Sequence, residues 1–180
     1  NTIEMYFTSN HDENSWNKAD FGVFPGPSHA PFAVFTQTMA KSVPLIYSGQ
    51  EEPVLRALEF FEKDPIHFEH YARAGFYKTL LNLRKRDIAL SPDAGFRKIP
   101  AGDEQAVYAY VRTKAGKKIL VILNLSNKEQ NISIKDRSLW GKPYNVFMHS
   151  NESLSGRTWK MEPWGYAVYE YGSAGHQALR

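Results

Sequence analysis

Near residue 92 the patterning of the chain changes, and no single type of layer accommodates both sides of the change. Upstream, short apolar runs alternate with segments of helical period. Downstream, strand patterns follow one another with Gly, Asn and Pro between them. Alternating strands and helices build sheets covered by helices, whereas consecutive strands build antiparallel sandwiches. The sequence therefore predicts two architectures in series: an α/β part over residues 1–92 and an all-β part over residues 93–180.

In the upstream part, residues 3–8 (IEMYFT) read as a short buried strand that runs into the polar cluster Ser9-Asn10-His11-Asp12. Residues 13–30 read as an irregular loop carrying Pro25, Gly26 and Pro27. Phe32, Phe35 and Met39 then recur at i, i+3 and i+7, one face of a helix. Residues 43–47 form a second apolar strand, broken by Ser48-Gly49-Gln50-Glu51-Glu52. A second long loop carries Phe60, Phe61 and Asp64-Pro65. Phe76, Leu80 and Leu83 mark a helix from about 70 to 86, with Arg84, Lys85 and Arg86 at the end where cations are favoured. The order is two β/α units. Strands this short and apolar suit a parallel sheet covered on both faces, and in barrels of such units the chemistry sits on the loops that follow the strands.

In the downstream part, residues 106–112 (AVYAYVR) alternate, and residues 118–125 (KILVILNL) form a strong strand. Between them, Thr113-Lys114-Ala115-Gly116-Lys117 signals a hairpin turn, with Gly available for positive φ. Further strands are predicted at 131–134, 144–148, 157–161 and 166–171, as in an antiparallel β-sandwich.

Several function classes drop out. The net charge of +3 is too mild to imply a polyanion. The basic residues around 84–86 and 114–118 read as a helix end and a turn, so no nucleic-acid partner is expected. No run approaches 18 apolar residues, so no membrane partner is expected. The chain has no cysteine, which excludes disulfides and thiolate chemistry and leaves the compartment open, with a bacterial periplasmic or extracellular setting favoured. His67 and His70 have helical ligand spacing, but no other ligand type stands beside them, and no metal site is assigned.

What remains is the segment Phe7-Thr8-Ser9-Asn10-His11-Asp12. It gathers an amide, an imidazole and a carboxylate just past a strand. A carboxylate so placed can accept hydrogen bonds from sugar hydroxyls and stabilise a cationic transition state. Asn10 and Asp12 are equally good turn formers, with His11 a bystander. The aromatic fraction of 14% suits a sugar-contacting surface, and it suits a core.

The segment resembles the F-x-x-N-H-D element that follows the seventh barrel strand in the α-amylase family of glycoside hydrolases. The stretch Val43-Pro44-Leu45-Ile46-Tyr47-Ser48-Gly49-Gln50-Glu51 resembles that family's eighth strand and its P-x-I-Y-x-G-x-E ending. Lys63-Asp64-Pro65-Ile66, Phe76-Tyr77 and Leu83-Arg84-Lys85 resemble the last barrel helix and the loop before it, and Met161-Glu162-Pro163-Trp164 resembles the approach to the final sandwich strand. The resemblance implies the remnant of a (β/α)8 TIM barrel over 1–92 followed by the C-terminal sandwich over 93–180. It implies that Asp12 is the transition-state-stabilising carboxylate, that His11 bonds the same sugar and that Asn10 holds the turn. Trp16 would offer a stacking face in the substrate groove, or else pack its loop. Gln50 and Glu51 would lie at the rim of the barrel mouth.

The implied substrate is an α-glucan, cleaved with retention. That reaction needs a nucleophile and a general acid about 5–5.5 Å apart, and in the family both follow earlier strands. A whole barrel takes about 250 residues, so this chain is read as the C-terminal portion, inactive alone. Glu4, Glu13, Asp20, Glu51, Glu52 and Asp64 stand in none of the family's motifs for those roles. Many family members bind Ca²⁺, yet the resemblance assigns no ligand and no cofactor here. A stand-alone sugar-binding sandwich, using Trp140, Tyr144, Trp159, Trp164 or Tyr166, is the rival reading. Barrel strands without neighbours predict self-association of the chain.

Overall fold

A computed structural model of the protein describes residues 2–172; residues 173–180, the end of the predicted all-β part, lie outside the described residues. The chain opens with β1 (Glu4–Tyr6), which pairs in parallel with β2 (Ser42–Pro44), in the register Glu4 to Ser42, Met5 to Val43 and Tyr6 to Pro44. Helix α1 (His29–Thr38) connects them, and α2 (Ala74–Arg86) follows. The upstream part is thus one parallel β-α-β unit and a further helix. The strands are shorter than the apolar runs suggest, and one expectation about them is corrected. Tyr6 stacks on Phe35 of α1 with ring centroids 6.0 Å apart, but Ile3, Met5, Phe7 and Val43 remain exposed. Successive strand residues point to opposite faces, and only the face toward α1 is covered.

The helices also differ in detail from the periodic pattern. α1 ends at Thr38, because Met39 adopts an extended conformation. α2 begins at Ala74 rather than near 70. His67 and His70 lie before it, exposed, so they share no helical face. The predicted loop over 13–30 contains helical turns at Glu13–Asn17, Ala19–Val23 and Gly26–Ser28.

Downstream, a six-stranded sheet runs in the order β3-β4-β5-β10-β7-β8, and a two-stranded sheet pairs β6 with β9. The strands are β3 (Gly95–Ile99), β4 (Val107–Lys114), β5 (Lys117–Asn124), β6 (Gln130–Ser133), β7 (Tyr144–Asn145), β8 (Ser150–Asn151), β9 (Thr158–Met161) and β10 (Tyr166–Tyr171). All pairs are antiparallel. Lys114 faces Lys117 across a two-residue turn whose central residues, Ala115 and Gly116, have φ of 48° and 77°. Positive φ at both positions matches the right-handed twist of the flanking strands.

Two cores share the large sheet. On one face Val107, Ala109, Val111, Leu120 and Ile122 meet Ile132, Ile134, Leu139 and Met161 from the small sheet's side. On the other, Tyr110, Ile119, Val121, Leu123 and Val168 meet Val34 of α1, Leu80 and Leu83 of α2, and Leu90. The sandwich therefore has helices on its outer face. Arg112, fully buried on that face, donates to the carbonyls of Thr38 (2.7 Å), Ser91 (2.7 Å), Ala94 (3.3 Å) and Gly95 (3.2 Å). Desolvation lowers its pKa to about 10. The basic run at the end of α2 is structural as well. Arg84 donates to the carbonyls of Gln37 and Ser42, and Arg86 pairs with Glu170 at 2.8 Å.

Candidate functional site

The last ladder bond of β1, from Leu45 N–H to the Tyr6 carbonyl (2.8 Å), releases the chain into a turn. Asn10 holds that turn. Its Oδ1 accepts from the Glu13 amide (2.8 Å), and its carbonyl accepts from the Asn14 amide (2.8 Å), which starts the helical turn Glu13–Asn17. Because Asn10 supplies the side-chain cap, Asp12 makes no capping bond. His11 and Asp12 project together, with Nε2 and Oδ2 3.5 Å apart and side chains 68% and 57% exposed. A carboxylate in that state is open to a ligand.

Trp16 follows on the same turn and is 60% exposed. Its ring lies 5.3 Å from Phe60 and 6.4 Å from Phe61. Phe60 is also 6.1 Å from the His11 ring, the two planes within 23°. Of the two open alternatives for Trp16, the structure shows a ring packed against a neighbouring loop, tilted to Phe60 and edge-on to Phe61, and still presenting surface. Asn14, Ser15 and Asp64 hold the two loops together, a role that no sequence pattern foretold for them. Asn14, buried, accepts from the Leu58 amide (2.8 Å) and donates to the Arg56 carbonyl (3.3 Å). Ser15 donates to the Leu58 carbonyl (2.8 Å). Asp64 then closes the second loop, accepting two bonds of 2.6 Å from Arg56 and one of 2.9 Å from the Glu59 amide. The Arg56 guanidinium holds the Asp64 carboxyl down to about 2.

Behind the turn lies a buried polar network. Gln50 donates to Thr8 Oγ1 (2.8 Å), to the Tyr77 hydroxyl (3.3 Å) and to Asp20 (3.4 Å), and its Oε1 accepts from the Tyr47 amide (2.7 Å). The Tyr77 hydroxyl lies 2.6 Å from His29 Nε2. The imidazole that meets this hydroxyl is neutral. Burial, with help from the Arg73 guanidinium, lowers the His29 pKa to about 3. Burial raises the Asp20 carboxyl against the pull of Arg73, which donates to it at 3.2 Å. Gln50 is therefore inside, beneath the mouth of the turn, where the sequence placed it at a rim. Glu51 accepts from the Gly49 amide (3.1 Å). Buried Glu52 accepts from the amides of Glu69 (3.1 Å), His70 (3.0 Å) and Tyr71 (2.9 Å), which hold its pKa down. Asp20, Glu52 and Asp64 are thus occupied in bracing loops.

The aromatic residues named for a stand-alone sandwich are all partly covered. The Trp140 indole donates to the Ile134 carbonyl (2.9 Å), Trp159 packs on the inter-sheet core, and Tyr166 packs against Phe76 and Phe147. Trp164 lies 6.4 Å from Phe32. No group of three or more His, Cys, Asp or Glu that could hold a metal occurs among the described residues. No helix among them is long and apolar enough to cross a membrane.

Comparison with known proteins gives the molecule its context. Residues 107–166 match the family model of the alpha-amylase SusG C-terminal domain. An alpha-amylase from Lactobacillus plantarum superposes with a TM-score of 0.70 at 15% identity, over 94% of this chain and 38% of that one. An Anoxybacillus alpha-amylase superposes with a TM-score of 0.68 at 16% identity, over 92% of this chain and 37% of that one. A noncanonic maltogenic alpha-amylase, AmyB from Thermotoga neapolitana, does so with a TM-score of 0.59 at 18% identity, over 94% and 39%. At such identities the likeness is one of fold, and the chain spans well under half the length of these proteins.

Proposed function

We propose that this chain, the C-terminal part of an α-amylase family glycoside hydrolase, supplies Asp12 to the site at which the intact enzyme cleaves α-glucans. The observation that carries this reading is the state of Asp12. It stands at the carboxyl end of a parallel strand, exposed beside His11 and free of capping duty, while Asp20, Glu52 and Asp64 are spent on bracing. In barrels of β/α units that end of the strands carries the chemistry. Residues 1–92 are then the last two units of the (β/α)8 barrel. The parallel pairing of β1 with β2 and the one-sided cover of β1 by α1 support this.

The reaction follows from the family. A carboxylate nucleophile attacks the anomeric carbon as the bond to the leaving oxygen breaks, and a general acid gives that oxygen its proton. Water then releases the sugar from the enzyme. Neither nucleophile nor acid is assigned to this chain. Asp12 accepts hydrogen bonds from hydroxyls of the sugar under attack, and those bonds strengthen as positive charge grows on the ring. His11 donates to the same sugar, and Asn10 fixes the turn that carries both. Such an interaction acts mainly in the transition state, so its loss lowers kcat more than it raises KM.

In the enzyme that carries the upstream strands, Asp12→Asn should lower kcat by about 10²–10⁴-fold, the range for removing one such group. The 180-residue chain alone should release no reducing sugar from starch or maltooligosaccharides. Wild-type kcat in the variant, or turnover by the chain alone that Asp12→Ala abolishes, overturns the reading.

A further inference from the structure

We infer that Asp87 and Glu170 share one proton at the seam where α2 meets β10, and that this proton makes the seam pH-sensitive, tight while the proton is held and looser once it is lost. The inference is independent of the sugar chemistry above. Asp87 follows α2 directly, its N–H donating to the Leu83 carbonyl (2.9 Å), and Glu170 lies in β10. Asp87 is 2% exposed and Glu170 6%. Leu83, Leu90 and Val168 belong to the core that closes this seam. Both carboxyls are buried by this chain's own residues, so further polypeptide upstream can only deepen that burial.

The two carboxyls are not equally provided for. Asp87 Oδ1 accepts from the Ala89 amide (2.9 Å), but its Oδ2, fully sequestered, finds no hydrogen-bond donor among the described residues. Glu170 Oε2 is held by Arg86 at 2.8 Å, and the Glu170 side chain lies within hydrogen-bonding reach of Asp87. A buried carboxylate oxygen without a donor is costly, and two adjacent carboxyls resist ionising together. One proton removes both penalties. On Oδ2 it turns Asp87 into a donor, and the Glu170 carboxylate, whose lone pairs Arg86 does not exhaust, accepts it. The carbonyl end of α2 favours the same outcome, because it repels an anion. The charged groups that face the pair are Arg86 from α2 and Lys117 from β5. Tyr144 of β7, opposite Glu170, has its hydroxyl 3.3 Å from His149 Nδ1. Arg86 answers the single charge that remains, so the pair calls for no metal ion. Burial above all, and then the Glu170 charge, pushes the Asp87 carboxyl above its ordinary 3.8, although the Ala89 amide and Lys117 pull it down.

The folded protein holds this proton more tightly than the unfolded chain does. Its contribution to stability is therefore complete below about pH 3.8 and is lost as pH rises through the folded value. Asp87→Asn tests the idea, since the amide keeps an oxygen for Ala89 and offers Glu170 an N–H that cannot be lost. In urea unfolding of the 180-residue chain, the variant should gain on the wild type as pH rises from about 4 to about 8, by up to about tenfold in the unfolding equilibrium per pH unit within that window. Parallel curves, or a variant that loses ground as pH rises, overturn the inference. A second measurement needs no variant that might misfold. The side-chain carboxyl carbon of Asp87, followed by NMR in the wild type, should titrate above 3.8. Glu170→Gln, which removes the neighbouring charge and supplies a donor, should bring that inflection down. An inflection at or below 3.8 in the wild type, or one that Glu170→Gln leaves in place, would show that the two carboxyls share no proton.

Discussion

At the scale of single residues, the side chains expected to do chemistry and those that hold the fold are chemically alike, and burial separates them. Asp12 and Asp20 are both aspartates in the segment after β1. One is open to solvent, and the other lies beneath it with Arg73, Gln50 and His29. The sequence singled out the first through its motif. It could not show the second, because the partners of Asp20 lie 9 to 53 residues away and are joined only by folding. His29 makes this buried network measurable. Its folded pKa of about 3 lies below its ordinary value of 6.5. Below pH 6.5 the unfolded chain takes up a proton that the folded protein refuses. This contribution to stability is thus complete above about pH 6.5 and is lost as pH falls toward 3, by up to about 1.4 kcal/mol per pH unit. Asp20 acts in the opposite sense. Its raised pKa makes the folded protein take up a proton first, which adds stability as pH falls through the folded value toward 3.8. His29→Gln keeps an acceptor for Tyr77 and cannot charge. Urea unfolding from pH 7.5 to 4.5 should show a shallower loss of stability in this variant than in the wild type. Parallel curves would show that His29 is not held neutral.

At the scale of elements, the sequence was read best where burial is symmetric. Residues 119–123 are apolar without interruption and each is fully buried, because β5 has the small sheet on one side and the helices on the other. A continuous apolar run is the mark of a strand covered on both faces, and here it announces helices on the sandwich. β3 was not read from the sequence. Four of its five residues are exposed, so no alternation betrays it, and its pairing with β4 depends on backbone bonds that any residue can make. The loops were read as irregular because their order comes from side chains bonding distant backbone. Asn14 and Ser15 reach residues 42 to 44 positions away. This predicts which loop opens first. Lys63 is exposed in the second loop, and trypsin should cut there before it cuts within residues 13–30. Asn14→Ala removes two bonds to the 56–58 backbone, each worth about 0.5–1.5 kcal/mol net, so cleavage at Lys63 should speed up by about fivefold or more. An unchanged rate, followed by mass spectrometry of the fragments, would mean that the two loops are not coupled.

At the scale of the whole molecule, the change of pattern at residue 92 divides the chain without dividing its core. Val34, Leu80, Leu83 and Leu90 from one side pack on Tyr110, Val121 and Val168 from the other, and Arg112 ties both with four carbonyl bonds. The helix faces are consequently not available to bind a second molecule. What stays open is the strand face of Ile3, Met5, Phe7 and Val43, together with the outer edges of β1 and β2. Each such side chain left in water forgoes about 1.5–3 kcal/mol, and unpaired strand edges recruit further strands. We therefore propose that the 180-residue chain self-associates through this face when no upstream strands cover it. Sedimentation over a concentration series should show the weight-average mass rising with concentration. Met5→Lys combined with Val43→Lys should return the chain to a monomer, since charge on an open strand opposes edge pairing. Both positions are exposed, so the fold should survive the change. A wild-type chain that sediments as a monomer at every concentration would show that the open face of a single parallel β-α-β unit is tolerated in water without a partner.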